Sequence, residues 1–136
     1  MIGVLVTTHG NLGCEFLKAA ELIKGSIKGV VCVSVDQVKG MEDIKKEIST
    51  AVKKLDNGQG VLILTDLFGG TPSNISLSFL KEGKVEVVTG VNLPMILKVT
   101  EMREGTSLKE LAQTVRDYGM KNIYLASEIL QKKVAG

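Results

Sequence analysis

A chain of 136 residues, 44% hydrophobic and 24% charged, has the size and balance of one globular domain (residues 1–136), and nothing along it marks a second. That length buries a proper core without disulfides or a structural metal, and with no Trp, three Phe and two Tyr the core must be aliphatic. Seventeen basic residues against fifteen acidic ones leave a net charge of +2, too even to argue for nucleic acid, and no basic run is interleaved with aromatics.

The N-terminus, Met-Ile-Gly-Val-Leu-Val, turns polar at Thr7 and lacks both the basic start and the length of a signal peptide. Val4–Val6 is the first of four short β-branched apolar runs, with Val30–Val35, Val61–Leu64 and Val85–Val88, that are too short for helices and read as buried strands. Between the first two, Leu12, Phe16, Ala19, Ala20 and Ile23 recur at helical spacing. Met41, Ile44, Ile48, Val52 and Leu55 do the same before the third. Gly25, Gly58, Gly83, Gly105 and Gly119 stand where helices are expected to end in a left-handed residue. Asn92 before Leu93-Pro94 reads first as a helix N-cap with proline in the first turn. Ser107-Leu108-Lys109-Glu110 has the form of a capping box opening a last helix through about Tyr118. Asn122–Ala126 is a candidate fifth strand, and the Lys-rich tail to Gly136 is expected to fray.

The strands are continuously apolar, so both faces of the sheet are covered, and the βαβα order predicts a three-layer α/β/α fold with a mostly parallel sheet. Right-handed crossovers leave few topologies, of which the flavodoxin-like order 2-1-3-4 is the one expected. Two cysteines, Cys14 and Cys32, have no metal-type spacing and suggest no disulfide framework. Cys32 lies inside an apolar run and reads as core. Cys14 falls about 200° around its helix from Leu12 and reads as pointing outward. The expectation is a reduced, cytoplasmic, soluble protein, since no run reaches membrane-spanning length either.

Ligands of open α/β sheets bind beyond the carboxyl ends of the strands, where the strand order reverses. Here that point lies between the first and third strands. The chain leaves the first through Thr7-Thr8-His9-Gly10 and the third through Thr65-Asp66-Leu67-Phe68-Gly69-Gly70-Thr71-Pro72-Ser73-Asn74. The one histidine of the chain therefore meets an aspartate far from it in sequence. A histidine beside a carboxylate is a workable phosphoryl acceptor: the carboxylate holds the proton on one ring nitrogen and the other attacks. The glycines Gly10, Gly69 and Gly70 let backbone N–H groups approach an anion, and Thr71 adds a hydroxyl. A phosphohistidine donor is already activated, so no metal or cofactor is required, and no metal ligand set is visible.

Three stretches carry a family resemblance: Val-Leu-Val-Thr-Thr-His-Gly at 4–10, Asp-Leu-Phe-Gly-Gly-Thr-Pro-Ser-Asn at 66–74 and Gly-Val-Asn-Leu-Pro-Met at 90–95. Together, over essentially the whole chain, they resemble the mannose-type IIA domains of the bacterial sugar phosphotransferase system. The resemblance implies a phosphocarrier that takes a phosphoryl group from HPr onto His9, with Asp66 as the orienting carboxylate and Gly69 to Pro72 lining the phosphate site. Gly10, Thr71, Ser73 and Asn92 complete the expected pocket. It implies transfer to a IIB partner, serving membrane subunits IIC and IID indirectly, through Nε2 of the histidine. It also implies a homodimer that exchanges a C-terminal strand, for which Asn122–Ala126 is placed. The rivals are the phosphocarrier subunit of a dihydroxyacetone kinase and a regulatory protein that uses phosphorylated His9 only as a signal. A receiver domain phosphorylated on Asp66 is disfavoured because Thr7-Thr8-His9 stands where an acidic cluster would hold magnesium. A cysteine hydrolase built on Cys14 and His9 is the weakest of the set.

Overall fold

Four short runs of β-branched and aliphatic residues set the centre of the molecule. The computed structural model describes residues 1–135, with side chains through Gln131. The strands are β1 (Gly3–His9), β2 (Val30–Val35), β3 (Val61–Thr65) and β4 (Val85–Thr89), all parallel, in the order β2-β1-β3-β4. The expected topology is the observed one. Among the described residues six helices follow the strands or one another: α1 (Leu12–Lys24), α2 (Met41–Leu55), α3 (Thr71–Leu77), α4 (Leu93–Met102), α5 (Leu108–Lys121) and α6 (Ala126–Ala135). No helix among the described residues is long and apolar enough to cross a membrane.

Alternation along the strands divides the core in two. Val4, Val6, Leu62 and Leu64 face α1, α4 and α5 and pack with Ala20, Ile96, Val99, Leu111 and Val115. Leu5, Ile63 and Val61 face the other way, onto Ile44 and Ile48 of α2 and Ile75 of α3. Because β1 and β3 are central and covered on both faces, they read as unbroken apolar runs. One close approach between the layers depends on glycine. A Cβ on Gly3 would lie 2.7 Å from Leu55 Cβ and 2.8 Å from the Leu55 carbonyl oxygen, so the end of α2 rests directly on the β1 backbone.

Several local expectations change. Gly119 lies inside α5, which runs on to Lys121, and a Cβ there would meet Met95 Cγ and Sδ at 2.5 Å; it is a helix-packing glycine, not a terminus. Ser107 does cap α5, accepting from the Glu110 N–H at 3.1 Å. The expected fifth strand is not formed in the single chain. Ile123–Leu125 carry no regular structure and are exposed. The tail is helical from Ala126 to Ala135, in keeping with its run of Ala, Glu, Leu, Gln and Lys; Gly136 lies outside the described residues.

The cysteines are the largest correction: Cys14 and Cys32 are joined by a disulfide, with Cα atoms 5.3 Å apart. The outward reading of Cys14 took Leu12 as the centre of the buried face of α1. That face is instead centred on Gly13 and Ala20, with Phe16 and Leu17 packed beside them, and Leu12 is exposed. Cys14 follows Gly13 and so lies on the flank that looks at the edge strand β2. Cys32 is half-buried on that edge, not a core residue.

Replacing Gly3 by alanine forces a methyl group onto backbone that cannot step aside. We expect Gly3→Ala to lower stability by about 1–3 kcal/mol, read from urea unfolding, without loss of the folded far-UV spectrum.

Candidate active site

Parallel pairing of β1 with β3, in the register Thr7↔Thr65, brings His9, the last residue of β1, and Asp66, the first beyond β3, to the same end of the sheet. Asp66 Oδ2 stands 2.9 Å from His9 Nδ1 and also accepts the His9 backbone N–H at 3.1 Å. One carboxylate oxygen thus grips both the main chain and the ring of the same residue. An ionised carboxylate only accepts, so the bonded nitrogen is Nδ1–H and the lone pair of the neutral ring lies on Nε2. The histidine side chain is 52% exposed and the aspartate 12%, so the ring stands at the rim on a sunken anchor. Asp66 Oδ1 is buried with no partner among the described residues, as are the hydroxyls of Thr7, Thr65 and Ser73.

The turn after His9 is held from beneath and from the side. Gly10 adopts φ +56°, a left-handed conformation suited to glycine, and its N–H donates to the Val35 carbonyl at 2.7 Å. Thr8 points down into the sheet–helix interface, where its Oγ1 accepts the Gly13 N–H at 2.7 Å. It therefore serves the first turn of α1 as a cap, a role missed in the sequence because a strand-end threonine is not the usual capping position. Asn11 occupies that position but makes no capping bond; its Oδ1 accepts instead from Ser34 Oγ at 2.8 Å.

The second wall is the β3–α3 turn. Gly69 sits at φ +90°, and Gly70 opens α3 from an extended conformation that any residue could adopt. What demands glycine at 70 is space: a Cβ there would stand 2.6 Å from His9 Cε1 and 3.1 Å from Nε2. The free edge of the ring therefore faces the Gly70 backbone. Asn74 closes the turn, its N–H donating to the Gly70 carbonyl at 2.8 Å and its Nδ2 to the Gly69 carbonyl at 3.3 Å. Thr71 is half-buried as the first residue of α3. Ser73 is fully buried and faces inward from the same turn.

The structure thus brings His9, Gly10, Asp66 and Gly70 together, with Gly69, Thr71 and Ser73 on the adjoining turn. Asn92 is committed elsewhere. Its Oδ1 accepts the Met95 N–H at 3.1 Å as the α4 cap, and its Nδ2 donates to the Gly119 carbonyl at 3.1 Å, tying α4 to α5. That is the capping role its position before Leu93-Pro94 predicts.

A family model described as the PTS system fructose IIA component, EIIA-man, matches residues 3–116. A fructose-specific EIIA component of the phosphotransferase system from Bacillus subtilis is 30% identical over 133 residues, covering 97% of this chain and 91% of that one. The mannose-specific EIIAB component of Escherichia coli is 28% identical over 124 residues, covering 90% of this chain, which spans 38% of that longer protein. Among solved structures, a phosphotransferase system component EIIA from Streptococcus agalactiae superposes with a TM-score of 0.86 at 27% identity, covering 94% of this chain and 99% of that one. With the family model spanning most of the sequence and all four strands in the expected order, the chain belongs to the mannose/fructose family of phosphotransferase-system EIIA components.

Proposed function

We propose that this chain accepts a phosphoryl group on His9 Nε2 from phosphorylated HPr and passes it to a IIB partner that serves sugar uptake. The observation that carries the reading is the Nδ1–Asp66 bond, which leaves Nε2 as the free nucleophile beside a glycine turn. In the transfer, the Nε2 lone pair forms a bond to phosphorus as the phosphorus–nitrogen bond of the donor breaks, and the donor ring keeps that electron pair. The acceptor ring then carries a proton on Nδ1 and gains positive charge, which the Asp66 carboxylate faces directly. Backbone N–H groups of the Gly69–Thr71 turn and the Thr71 hydroxyl would donate to the phosphoryl oxygens, while Gly10, whose N–H is held by the Val35 carbonyl, would leave the β1 side of the site free of a side chain.

Partner transfer requires an open site, and the exposed ring meets that requirement. Leu67 and Phe68 follow Asp66 and are both exposed, Phe68 by 72%, offering apolar surface for a protein donor or acceptor to cover. The reading places the protein in the cytoplasm, where donor and acceptor reside. It also includes a homodimer: the exposed segment Ile123–Leu125 would pair with the sheet of a second copy.

Incubated with phosphoenolpyruvate, enzyme I and HPr, the wild type gains one phosphate by intact mass, stable in base and lost in acid, and His9→Ala gains none. Wild type that stays unmodified while HPr is phosphorylated would refute the reading; modification with no onward transfer to any IIB would favour the signalling alternative. Asp66→Asn and Gly70→Ala fold normally but accept phosphate about a hundredfold more slowly, the first through the lost orienting carboxylate and the second through a displaced ring. Phe68→Ala raises the KM for phospho-HPr with kcat nearly unchanged, read from initial rates at varied donor concentration.

A further inference from the structure

The turn that carries His9 is clamped between the first turn of α1 and the end of β2, and the Cys14–Cys32 disulfide is part of that clamp. Two of its other members are polar: Gly10 N–H to Val35 O at 2.7 Å and Ser34 Oγ–H to Asn11 Oδ1 at 2.8 Å. Cys14 is three residues beyond Asn11 on the helix side, and Cys32 is two residues before Ser34 on the strand side. Cys14 Sγ itself lies 3.9 Å from Ser34 Oγ. The covalent link and the hydrogen bonds therefore join the same two pieces of chain, one turn of helix from the histidine.

We infer that Cys14 and Cys32 form a reversible thiol–disulfide site whose oxidation state sets how firmly the His9 turn is held. The inference rests on the phosphocarrier reading for its functional consequence and for the reducing compartment in which that reading puts the protein. The bond lies where small molecules can reach it. β2 is an edge strand of the sheet, and both cysteines are half-buried, not sealed in the core. A disulfide in a protein that works in a reducing compartment persists or breaks according to its exchange with the thiol pool. The partner is thus a low-molecular-weight thiol and its disulfide. The thiolate of one small thiol attacks one protein sulfur, and the other protein sulfur leaves as a thiolate and takes up a proton. A second small thiol then resolves the mixed disulfide. The sum is one protein disulfide and two thiols converted to a protein dithiol and one small disulfide, and oxidation is the reverse. With the bond open, the exposed Ser34–Asn11 hydrogen bond and the Gly10–Val35 backbone bond are left to tie Asn11 and Gly10 to β2, and water competes for the first.

The test sets the full chain in glutathione buffers of stepped redox ratio, traps thiols by alkylation and reads the oxidised fraction by mass. The same samples give the initial rate of phosphate acceptance from phospho-HPr and, without donor, the hydrogen exchange of the Gly10 amide. The expected result is that the rate tracks the oxidised fraction, the oxidised form being faster by about threefold or more through its better-held ring. The Gly10 amide exchanges faster in the reduced form. Cys14→Ser and Cys32→Ser should each show the reduced-form rate and exchange in every buffer. Interconversion with unchanged Gly10 exchange and unchanged rate would overturn the inference, as would a pair that stays in one state across all buffers. A chain that took no phosphate in either state would sink the phosphocarrier reading, while Gly10 exchange would still decide this one.

Discussion

The parallel ladder between β1 and β3 is the constraint on which the site depends. Neither His9 nor Asp66 is positioned by its own neighbours in sequence; His9 is the last residue of β1 and Asp66 the first beyond β3. Aligning Thr7 with Thr65 places both at one end of the sheet, and the strands align because Val4, Leu5 and Val6 must share their faces with Leu62, Ile63 and Leu64. A slip of one residue would turn every one of these side chains to the opposite core and separate the histidine from its carboxylate. The chemistry is thus tied to burial of the two aliphatic cores, and the aspartate can be an anchor because it is sunken while the ring above it remains open.

Much of this was legible in the sequence because strongly periodic features can be read from spacing alone. Four uninterrupted β-branched runs, separated by amphipathic stretches, specify a covered parallel sheet, and that sheet in turn specifies where a lone histidine and a distant aspartate meet. The glycines at 69 and 70 were also visible as a site, but their reasons differ: Gly69 answers to backbone conformation and Gly70 to the volume of the imidazole ring. Only the second reason depends on knowing where the ring lies, which no local pattern reveals.

What escaped was set by packing between elements. Gly119 looked like a helix end because its contact with Met95 comes from another helix. Cys14 looked solvent-facing because Leu12, an apolar residue that happens to be exposed, was taken to mark the buried side of α1. Thr8 gave no sign of capping α1, since the helix had an asparagine at the usual place. In each case the residue type was compatible with two environments, and the choice belonged to a neighbour far along the chain.

If His9 carries a phosphoryl group, as proposed, the double grip of Asp66 Oδ2 decides how charge is arranged around it. Nδ1 and Nε2 lie across the imidazole ring from each other, so an aspartate fixed at the first leaves the second for the incoming dianion. The ring then acts as a spacer between two anions that would repel strongly if side by side. Its own positive charge lies between them, shared by both. The carboxylate would then steady the loaded state of the proposed carrier without crowding the group on Nε2.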